Sequence, residues 1–343
     1  MGHKLPLTAI IAIALILRVY KLADYPVSLS WDEAAIGYNA YAIAQTGRDE
    51  YSKKFPILFQ SFNDYKLPGY IYIDSIFVKL LGLSEFSVRL PSALAGVLAV
   101  ILIYLLTKKL FELGNNHKIL NAKPHTIALF AAFLLAISPW SLHLSRAAFE
   151  SNASLAVVLF GVTLFLYGFH NRLVALFSIP ILVLSFYFYY SPRIFVPIFL
   201  IVIVILYKRQ LTMVLKTYVS GFILGLILLI PITMATLTPV GFKRVGEVSI
   251  FSDMSIITTY VEAQSKSQHS FSKVFLNRRI PRIIEATHNY FSHLSPGFLF
   301  FGDDPNKRHH STFHGNFYIF EIITILIGIS TLIKFKDNKT KYL

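Results

Sequence analysis

The feature that most constrains this chain is a series of apolar segments close to membrane-spanning length. A bilayer's hydrocarbon layer is about 30 Å thick, so a crossing helix needs roughly 20 apolar residues. Eight segments qualify: 5–23, 88–111, 125–143, 153–170, 173–190, 194–207, 217–237 and 316–334. The sixth is short, and we expect it either to tilt or to enter a protein-lined cavity. With 55% hydrophobic residues gathered in such blocks, the sequence predicts an all-α polytopic membrane protein.

The distribution of charge predicts the orientation. A net charge of +14 would suggest nucleic acid as a partner of a soluble protein, but here the positions of the charges matter more. With a cytoplasmic N-terminus, the inner segments hold 13 Lys and Arg against two acidic residues; they are 1–4, 108–124, 171–172, 208–216 and 334–343. This bias predicts a cytoplasmic N-terminus with no appeal to nucleic acid. We expect a multi-pass protein of the plasma (inner) membrane with no nucleic-acid partner. The cationic side also suits the anionic lipids of the inner leaflet.

The segments between the helices suggest one membrane domain, 1–334, with a cytoplasmic tail, 335–343. The first apolar run lacks a small-x-small cleavage site, so we expect a retained helix. The chain has no cysteine, which excludes disulfides and thiolate metal sites. Two long extracytoplasmic loops, 24–87 and 238–315, are expected to be functional. The second shows no helix or strand period before about residue 255.

The first long loop contains one helical pattern. Tyr70, Ile73, Ile76, Phe77, Leu80 and Leu81 recur at helical spacing, opposite Asp74, Ser75 and Lys79. Such a helix could lie in the membrane interface or pack inside a small outer domain.

Two adjacent acids, Asp32 and Glu33, follow Trp31 just beyond the first predicted membrane helix. Carboxylates at this position can supply a general base or ligands to a hard cation. The alternative is that they only charge the first turn of a helix. Both interpretations stay open at this point.

Several cations share the predicted outer side with these acids. Lys66, in the sequence Asp64-Tyr65-Lys66-Leu67-Pro68, is either a phosphate ligand or a solvated loop lysine. Arg89, Arg146 and Arg193 lie at the outer interface, where arginines mark function or reach toward lipid headgroups. Glu150 lies four residues after Arg146, so the two would pair on a continuous helix.

A stretch of potential metal ligands lies near the end of the second long loop. It contains Asp303, Asp304, His309, His310 and His314. Their spacing matches no compact metal site, so loop residues are the preferred interpretation.

In order along the chain, these words resemble GT-C glycosyltransferases, especially the prokaryotic relatives of protein O-mannosyltransferases and lipid A aminoarabinose transferases. The words are Leu17-Arg18 through Pro26, Trp31-Asp32-Glu33-Ala34, Phe55-Pro56, Asp64-Tyr65-Lys66-Leu67-Pro68, Phe86-Ser87-Val88-Arg89-Leu90-Pro91-Ser92-Ala93, Ser138-Pro139-Trp140, Arg146-Ala147-Ala148-Phe149-Glu150, Tyr190-Ser191-Pro192-Arg193 and Phe298–His309 with Gly315. The resemblance covers almost the whole chain. Each short motif is weak alone, and the resemblance depends on their occurring together in this order.

The resemblance implies an inverting transfer of a sugar from a polyprenyl-phosphate donor to a hydroxyl of an extracytoplasmic acceptor. It makes Asp32 and Glu33 the catalytic carboxylates and Lys66, Arg89 and Arg193 the donor-phosphate ligands. Related enzymes differ over a divalent cation, for which Asp32 or Glu33 could be a ligand. Homologues commonly continue through more helices, so we expect this chain to be shorter than family members.

Two other functions remain as alternatives. A carrier or flippase of lipid-linked sugars would also bind phosphate, and an inactive truncated homologue would keep the fold without turnover. Carriers commonly show internal repeats and sites reachable from both faces. Here the acids and cations are concentrated on one side and no repeat is visible, which favours the enzyme. The sugar and the acceptor class, whether protein, lipid or cell-envelope glycan, cannot be predicted.

Overall fold

The computed structural model describes residues 4–62, 64–113, 123–239, 279–302, 304, 306, 308 and 314–335. These residues belong to two compact units, one formed by 1–235 with 318–343 and the other by 236–317. The helices in chain order are α1 (Lys4–Val19), α2 (Trp31–Thr46), α3 (Pro68–Leu81), α4 (Glu85–Leu113), α5 (Pro124–Ile137), α6 (Pro139–Arg146), α7 (Glu150–Gly168), α8 (Arg172–Leu184), α9 (Pro192–Leu206), α10 (Lys208–Thr236), α11 (Arg279–Ser292) and α12 (Glu321–Phe335). The prediction of a mostly helical membrane fold is confirmed.

One exception to the all-α prediction is a small antiparallel hairpin. Strand β1 (Phe59–Ser61) pairs with β2 (Asp64–Lys66), and Phe59 lies opposite Lys66. The chain reverses at Phe62, which has a positive φ of 49°. The hairpin fixes Lys66 immediately before α3, so a predicted loop position is in fact part of a strand.

The apolar helices of the described residues coincide with all eight predicted spans. Helices α4, α7 and α10 are long and apolar enough to cross a membrane alone. Helices α5 and α6 form one further candidate span, bent by 54° at the Ser138–Pro139 step. The shorter apolar helices are α1, α8, α9 and α12.

Small residues bring the spanning helices close together. Ala128, Ala132 and Ala136 repeat every four residues on α5 and are completely buried in a cluster with residues of α1 and α4. On α7, a Cβ at Gly161 would stand 2.7 Å from the side chain of Leu182 on α8. Such close approach favours helix association in lipid, where burial of apolar surface offers no driving force.

Helix α3 forms where its periodicity predicts, but it packs through a different face. Tyr70, Ile71, Asp74, Ser75 and Val78 are buried. Ile73, Ile76, Leu80 and Leu81, which continue the predicted apolar stripe, are exposed. The helix therefore packs on the protein and also presents an apolar face of the kind that interfacial helices bury in headgroups.

The second unit contains α11 and a π-helical turn, Gly297–Phe301. Phe317 N–H donates to the carbonyl of Leu299 at 2.8 Å, and Asn316 Nδ2 to that of Phe298 at 3.2 Å. Gly315 permits this crossing, because a Cβ there would lie 2.4 Å from the backbone of Phe300. Most of the second long loop, including Asp303, His309 and His310, lies outside the described residues.

Candidate active site

The two acids of the first loop begin α2 and have different tasks. Ser30 caps the helix: its Oγ accepts from Glu33 N at 3.3 Å, and Glu33 Oε2 accepts from Ser30 N at 2.9 Å. This reciprocal capping box satisfies two backbone donors at the helix start. Glu33 therefore stabilises the helix start, and a catalytic role for it stays a prediction. Asp32 points elsewhere, and its side chain stays 34% exposed.

Glu33 also forms a buried ion pair with Arg89. Arg89 Nε lies 2.9 Å from Glu33 Oε1, which accepts from Ala148 N at 3.2 Å as well. The remaining guanidinium donors bind four carbonyls of the segment between α1 and α2: Leu22 at 3.1 Å, Ala23 at 3.3 Å, Pro26 at 2.9 Å and Ser28 at 3.0 Å. Arg89 is completely buried. This geometry does not support the prediction that Arg89 binds the donor phosphate, because its donors are already occupied within the fold.

Lys66 joins the two halves of the first loop at Asp32. Its Nζ lies 2.5 Å from Asp32 Oδ1 and 3.7 Å from Asp64 Oδ2, and the lysine is 7% exposed. Burial lowers the pKa of Lys66, but the carboxylates of Glu150, Asp32 and Asp64 outweigh burial and leave this pKa above its ordinary value. Lys66 is therefore a firmly protonated cation beside a partly exposed carboxylate.

Glu150 and Arg146 do not form the predicted helical pair. Helix α6 ends at Arg146, Ala147 is extended, and α7 begins at Glu150, so the i,i+4 geometry is lost. Arg146 donates instead to carbonyls at and beyond the end of α1: Leu17 at 2.9 Å, Arg18 at 3.3 Å, Lys21 at 3.1 Å and Tyr25 at 3.1 Å. Glu150 acts electrostatically on Lys66. Of the secondary candidates, Asp64 and Glu150 therefore lie around Lys66, whereas Arg146 holds the backbone.

Arg193 is the second residue of α9, and its contacts lie within the segment that joins α8 to α9. Its guanidinium lies 4.5 Å from the ring centre of Tyr190 and donates to the carbonyl of Phe186 at 3.3 Å. Phe188 of the same segment packs on Gly69 in the first turn of α3, where a Cβ would stand 2.7 Å from its ring. The role of Arg193 as a ligand of the donor phosphate stays a prediction.

Arg18 is a buried arginine that the sequence reasoning did not assign. It is completely buried and donates to the carbonyls of Ala136 at 2.9 Å and Leu135 at 3.2 Å, near the end of α5. Pro139 has no N–H with which to continue that helix. Ser141 Oγ also accepts from Arg18 at 2.8 Å. The available signal was an arginine at the end of an apolar span together with a Ser-Pro break in another.

An apolar groove of about 520 Å³ runs between α4, α7 and α9. Trp140, Ser151 and Ser191 line one end, where Glu150 and Arg193 are sequence neighbours of the lining residues. Leu110, Leu166 and Ile203 line the other end. From Ser151 to Leu166 the groove follows α7 for roughly 22 Å, at about 1.5 Å per residue.

A metal ion finds no complete set of ligands among the described residues. No group of three or more His, Asp or Glu side chains in this part of the chain could hold one. Asp32 is engaged by Lys66, and Glu33 by Arg89. Asp304 accepts from Asn306 N at 2.8 Å as a local turn. The described residues therefore do not form a metal site by themselves.

A family model described as dolichyl-phosphate-mannose-protein mannosyltransferase matches residues 66–234. The match includes Lys66, Arg89, Arg146, Glu150 and Arg193, and it begins after Asp32 and Glu33. A search of curated proteins found no match.

Solved GT-C structures share the fold. ArnT from Cupriavidus metallidurans bound to undecaprenyl phosphate is 13% identical with a TM-score of 0.55, over 86% of this chain and 61% of that one. The Archaeoglobus fulgidus oligosaccharyltransferase with Zn and sulfate is 18% identical with a TM-score of 0.56, over 96% and 43%. The same organism's AglB with an inhibitory peptide and a dolichol-phosphate is 15% identical with a TM-score of 0.52, over 99% and 45%. The chain thus spans less than two thirds of each of these proteins.

Proposed function

We propose that this chain, a membrane protein related to the GT-C glycosyltransferases, transfers a sugar from a polyprenyl-phosphate donor to an acceptor hydroxyl. The Asp32–Lys66 pair carries the proposal. It places a partly exposed carboxylate and a protonated amine 2.5 Å apart, at the point where the first loop meets the membrane helices. A transfer from phosphate needs these two groups: a base for the incoming hydroxyl and a cation for the departing phosphate.

In the proposed reaction, the acceptor oxygen attacks the anomeric carbon of the donor while Asp32 takes the hydroxyl proton. The bond between the anomeric carbon and the phosphate oxygen breaks, and its electron pair leaves with polyprenyl phosphate. A single displacement inverts the anomeric configuration. Lys66 stabilises the charge that develops on the leaving phosphate, and Asp64 and Glu150 keep Lys66 protonated.

The apolar groove suits the donor's lipid chain. Its lining is mostly apolar, and the end lined by Trp140, Ser151 and Ser191 lies beside Glu150 and Arg193 in the sequence. A polyprenyl chain in the groove, with its phosphate at this end, would bring the phosphate near Arg193. Structures of two relatives, ArnT and AglB, contain undecaprenyl phosphate and a dolichol-phosphate respectively. These observations support a polyprenyl-phosphate donor here.

We further propose that the site faces away from the cytoplasm, as the charge bias of the loops indicates. The acceptor could be a protein, a lipid or a cell-envelope glycan, and its identity has to come from experiment. A divalent cation would have to draw ligands from beyond the described residues.

The direct test is to incubate the purified chain with a panel of polyprenyl-phosphate sugars and measure release of polyprenyl phosphate. We expect release with at least one sugar and a loss of release in Lys66→Ala. Lys79→Ala is the matched control, because Lys79 is an exposed lysine on α3. Equal release by wild type and Lys66→Ala would contradict the proposal. Donor binding without any release would instead favour a carrier or an inactive homologue.

A further inference from the structure

Helix α4 contains Pro91 where it passes the site, and the hydroxyl of Tyr70 binds the backbone of the same turn. Pro91 lacks the N–H that would bind the carbonyl of Ser87. One position later, the Tyr70 hydroxyl contacts both members of the next backbone pair: it accepts from Ser92 N at 3.1 Å and donates to the Val88 carbonyl at 2.9 Å. Tyr70, Val88 and Ser92 are at most 1% exposed. The phenol of α3 has therefore become part of the backbone hydrogen bonding of α4.

The same turn is also anchored from the other side. Asn152 of α7 donates to the carbonyl and the hydroxyl of Ser92 at 2.8 and 3.0 Å, and Ser92 Oγ donates to the Leu144 carbonyl of α6 at 3.2 Å. Buried groups of this kind are costly to leave unpaired, so these contacts stabilise the observed arrangement of the turn.

This turn carries Arg89, and Arg89 holds the helix start from which Asp32 projects. Arg89 lies one residue after Val88 and binds Glu33, the neighbour of Asp32. Tyr70 itself lies four residues after Lys66, at the start of α3. Besides their direct contact, the two members of the Asp32–Lys66 pair are thus linked through the backbone that carries Tyr70 and Arg89 and through the ion pair of Arg89 with Glu33.

We propose that the Tyr70 hydroxyl is a positioning residue that sets the geometry of the Asp32–Lys66 pair. It acts through the 88–92 turn of α4 and touches neither donor nor acceptor. Losing it leaves the ring in its buried position but removes the hydroxyl contacts to Ser92 N and the Val88 carbonyl. The 88–92 turn then rearranges, which moves Arg89 relative to Lys66. The functional consequence rests on the proposed function, whereas the geometric consequence does not.

The first measurement is independent of activity. Lys66 is buried and paired, so its amine should react slowly with an acylating reagent, as followed by mass spectrometry on the folded protein. In Tyr70→Phe we expect Lys66 to react roughly three- to tenfold faster, the range that loss of one buried hydrogen bond implies. The acylation rate of Lys79, an exposed lysine on α3, the helix that also carries Tyr70, should not change.

Tyr218→Phe is the matched control. Tyr218 is equally buried, and its hydroxyl donates to a helix carbonyl, that of Phe165, at 2.6 Å, among residues of α7, α8 and α10. Tyr218→Phe should lower the melting temperature by a similar amount without changing the acylation rate of Lys66. An unchanged Lys66 rate in Tyr70→Phe, or an equal increase in both variants, would overturn the inference.

The second measurement is a double-mutant cycle on the binding of undecaprenyl phosphate to the full chain. We expect Tyr70→Phe to weaken binding roughly three- to tenfold and to add nothing when Lys66→Ala is already present. Full additivity would show that Tyr70 does not act through Lys66 and would overturn the inference. Unchanged binding in Lys66→Ala would contradict the proposed function alone, and the acylation result would still decide the role of Tyr70.

Discussion

At the scale of single residues, the neighbours Asp32 and Glu33 have opposite environments. Asp32 is a third exposed and faces the amine of Lys66. Glu33 is buried, caps its own helix and neutralises Arg89. The same functional group, a carboxylate, is therefore suited to chemistry at one position and to structure at the next.

Asp32→Asn should abolish turnover while the protein stays folded and still binds the donor. The substitution keeps the shape of the side chain and removes its basicity, and loss of a positioned base costs about a hundred- to ten-thousandfold in rate. Glu33→Gln should instead lower stability by about 3–5 kcal/mol, because it leaves the buried charge of Arg89 unpaired. Turnover, donor binding and thermal melting of both variants check this contrast. Near-normal turnover in Asp32→Asn would exclude it as the base.

Lys66→Ala and Arg89→Ala should fail in different ways. Removing Lys66 takes away one charge-assisted contact to phosphate, worth about 1.5–3 kcal/mol, so donor affinity should fall roughly ten- to a hundredfold in a folded protein. Removing Arg89 leaves Glu33 buried and unpaired together with four backbone carbonyls, so the melting temperature should fall. Donor-lipid titration and thermal melting separate the two. A stable Arg89→Ala protein with weakened binding would restore Arg89 as a phosphate ligand.

At the scale of single elements, α3 carries a buried acid with no hydrogen-bond partner in the described part of the chain. Neither oxygen of Asp74 is paired, and burial raises its pKa to about 8. The folded state therefore holds a proton that the unfolded chain, with an ordinary pKa of about 3.9, releases. Stability should fall as pH rises from about 4 to about 8 and then level off.

Asp74→Asn should remove much of this pH dependence. It should melt about 2–4 °C or more above wild type at pH 8, and the difference should shrink toward pH 5. Thermal melting at both pH values is the measurement. An equal difference at the two values would mean that Asp74 is not the titrating group.

A glycine on α4 leaves space for Ser145 of α6 and for Arg18. A Cβ at Gly96 would lie 2.3 Å from Ser145 Oγ and 2.7 Å from Arg18 Nε. Gly96→Ala should therefore destabilise the protein by about 1–3 kcal/mol, as overpacked cores do. Gly328→Ala on α12 is the control, because no described atom lies within 4 Å of its added Cβ. Similar melting temperatures for the two variants would contradict the role of Gly96.

At the scale of the whole molecule, the charge bias predicts which loops face the cytoplasm. The chain has no cysteine, so single cysteines can report topology without a background. A cysteine at the exposed Lys54 should react with an impermeant reagent on intact cells, and one at Asn116 should react only after lysis. The reverse pattern would invert the orientation and remove the proposed extracytoplasmic site.

The sequence by itself determined where the apolar helices lie. A bilayer fixes the length of an apolar helix, so this pattern follows from nearby residues. Only the tertiary structure decided which charge meets which. Lys66 pairs with Asp32, 34 residues earlier in the sequence. Arg146 and Glu150 do not pair as on one helix, because one helix ends at Arg146 and the next begins at Glu150. Arg89, a plausible phosphate ligand by position, is enclosed by carbonyls of a segment more than 60 residues earlier. Such pairings depend on how helices pack, which no local pattern of residues encodes.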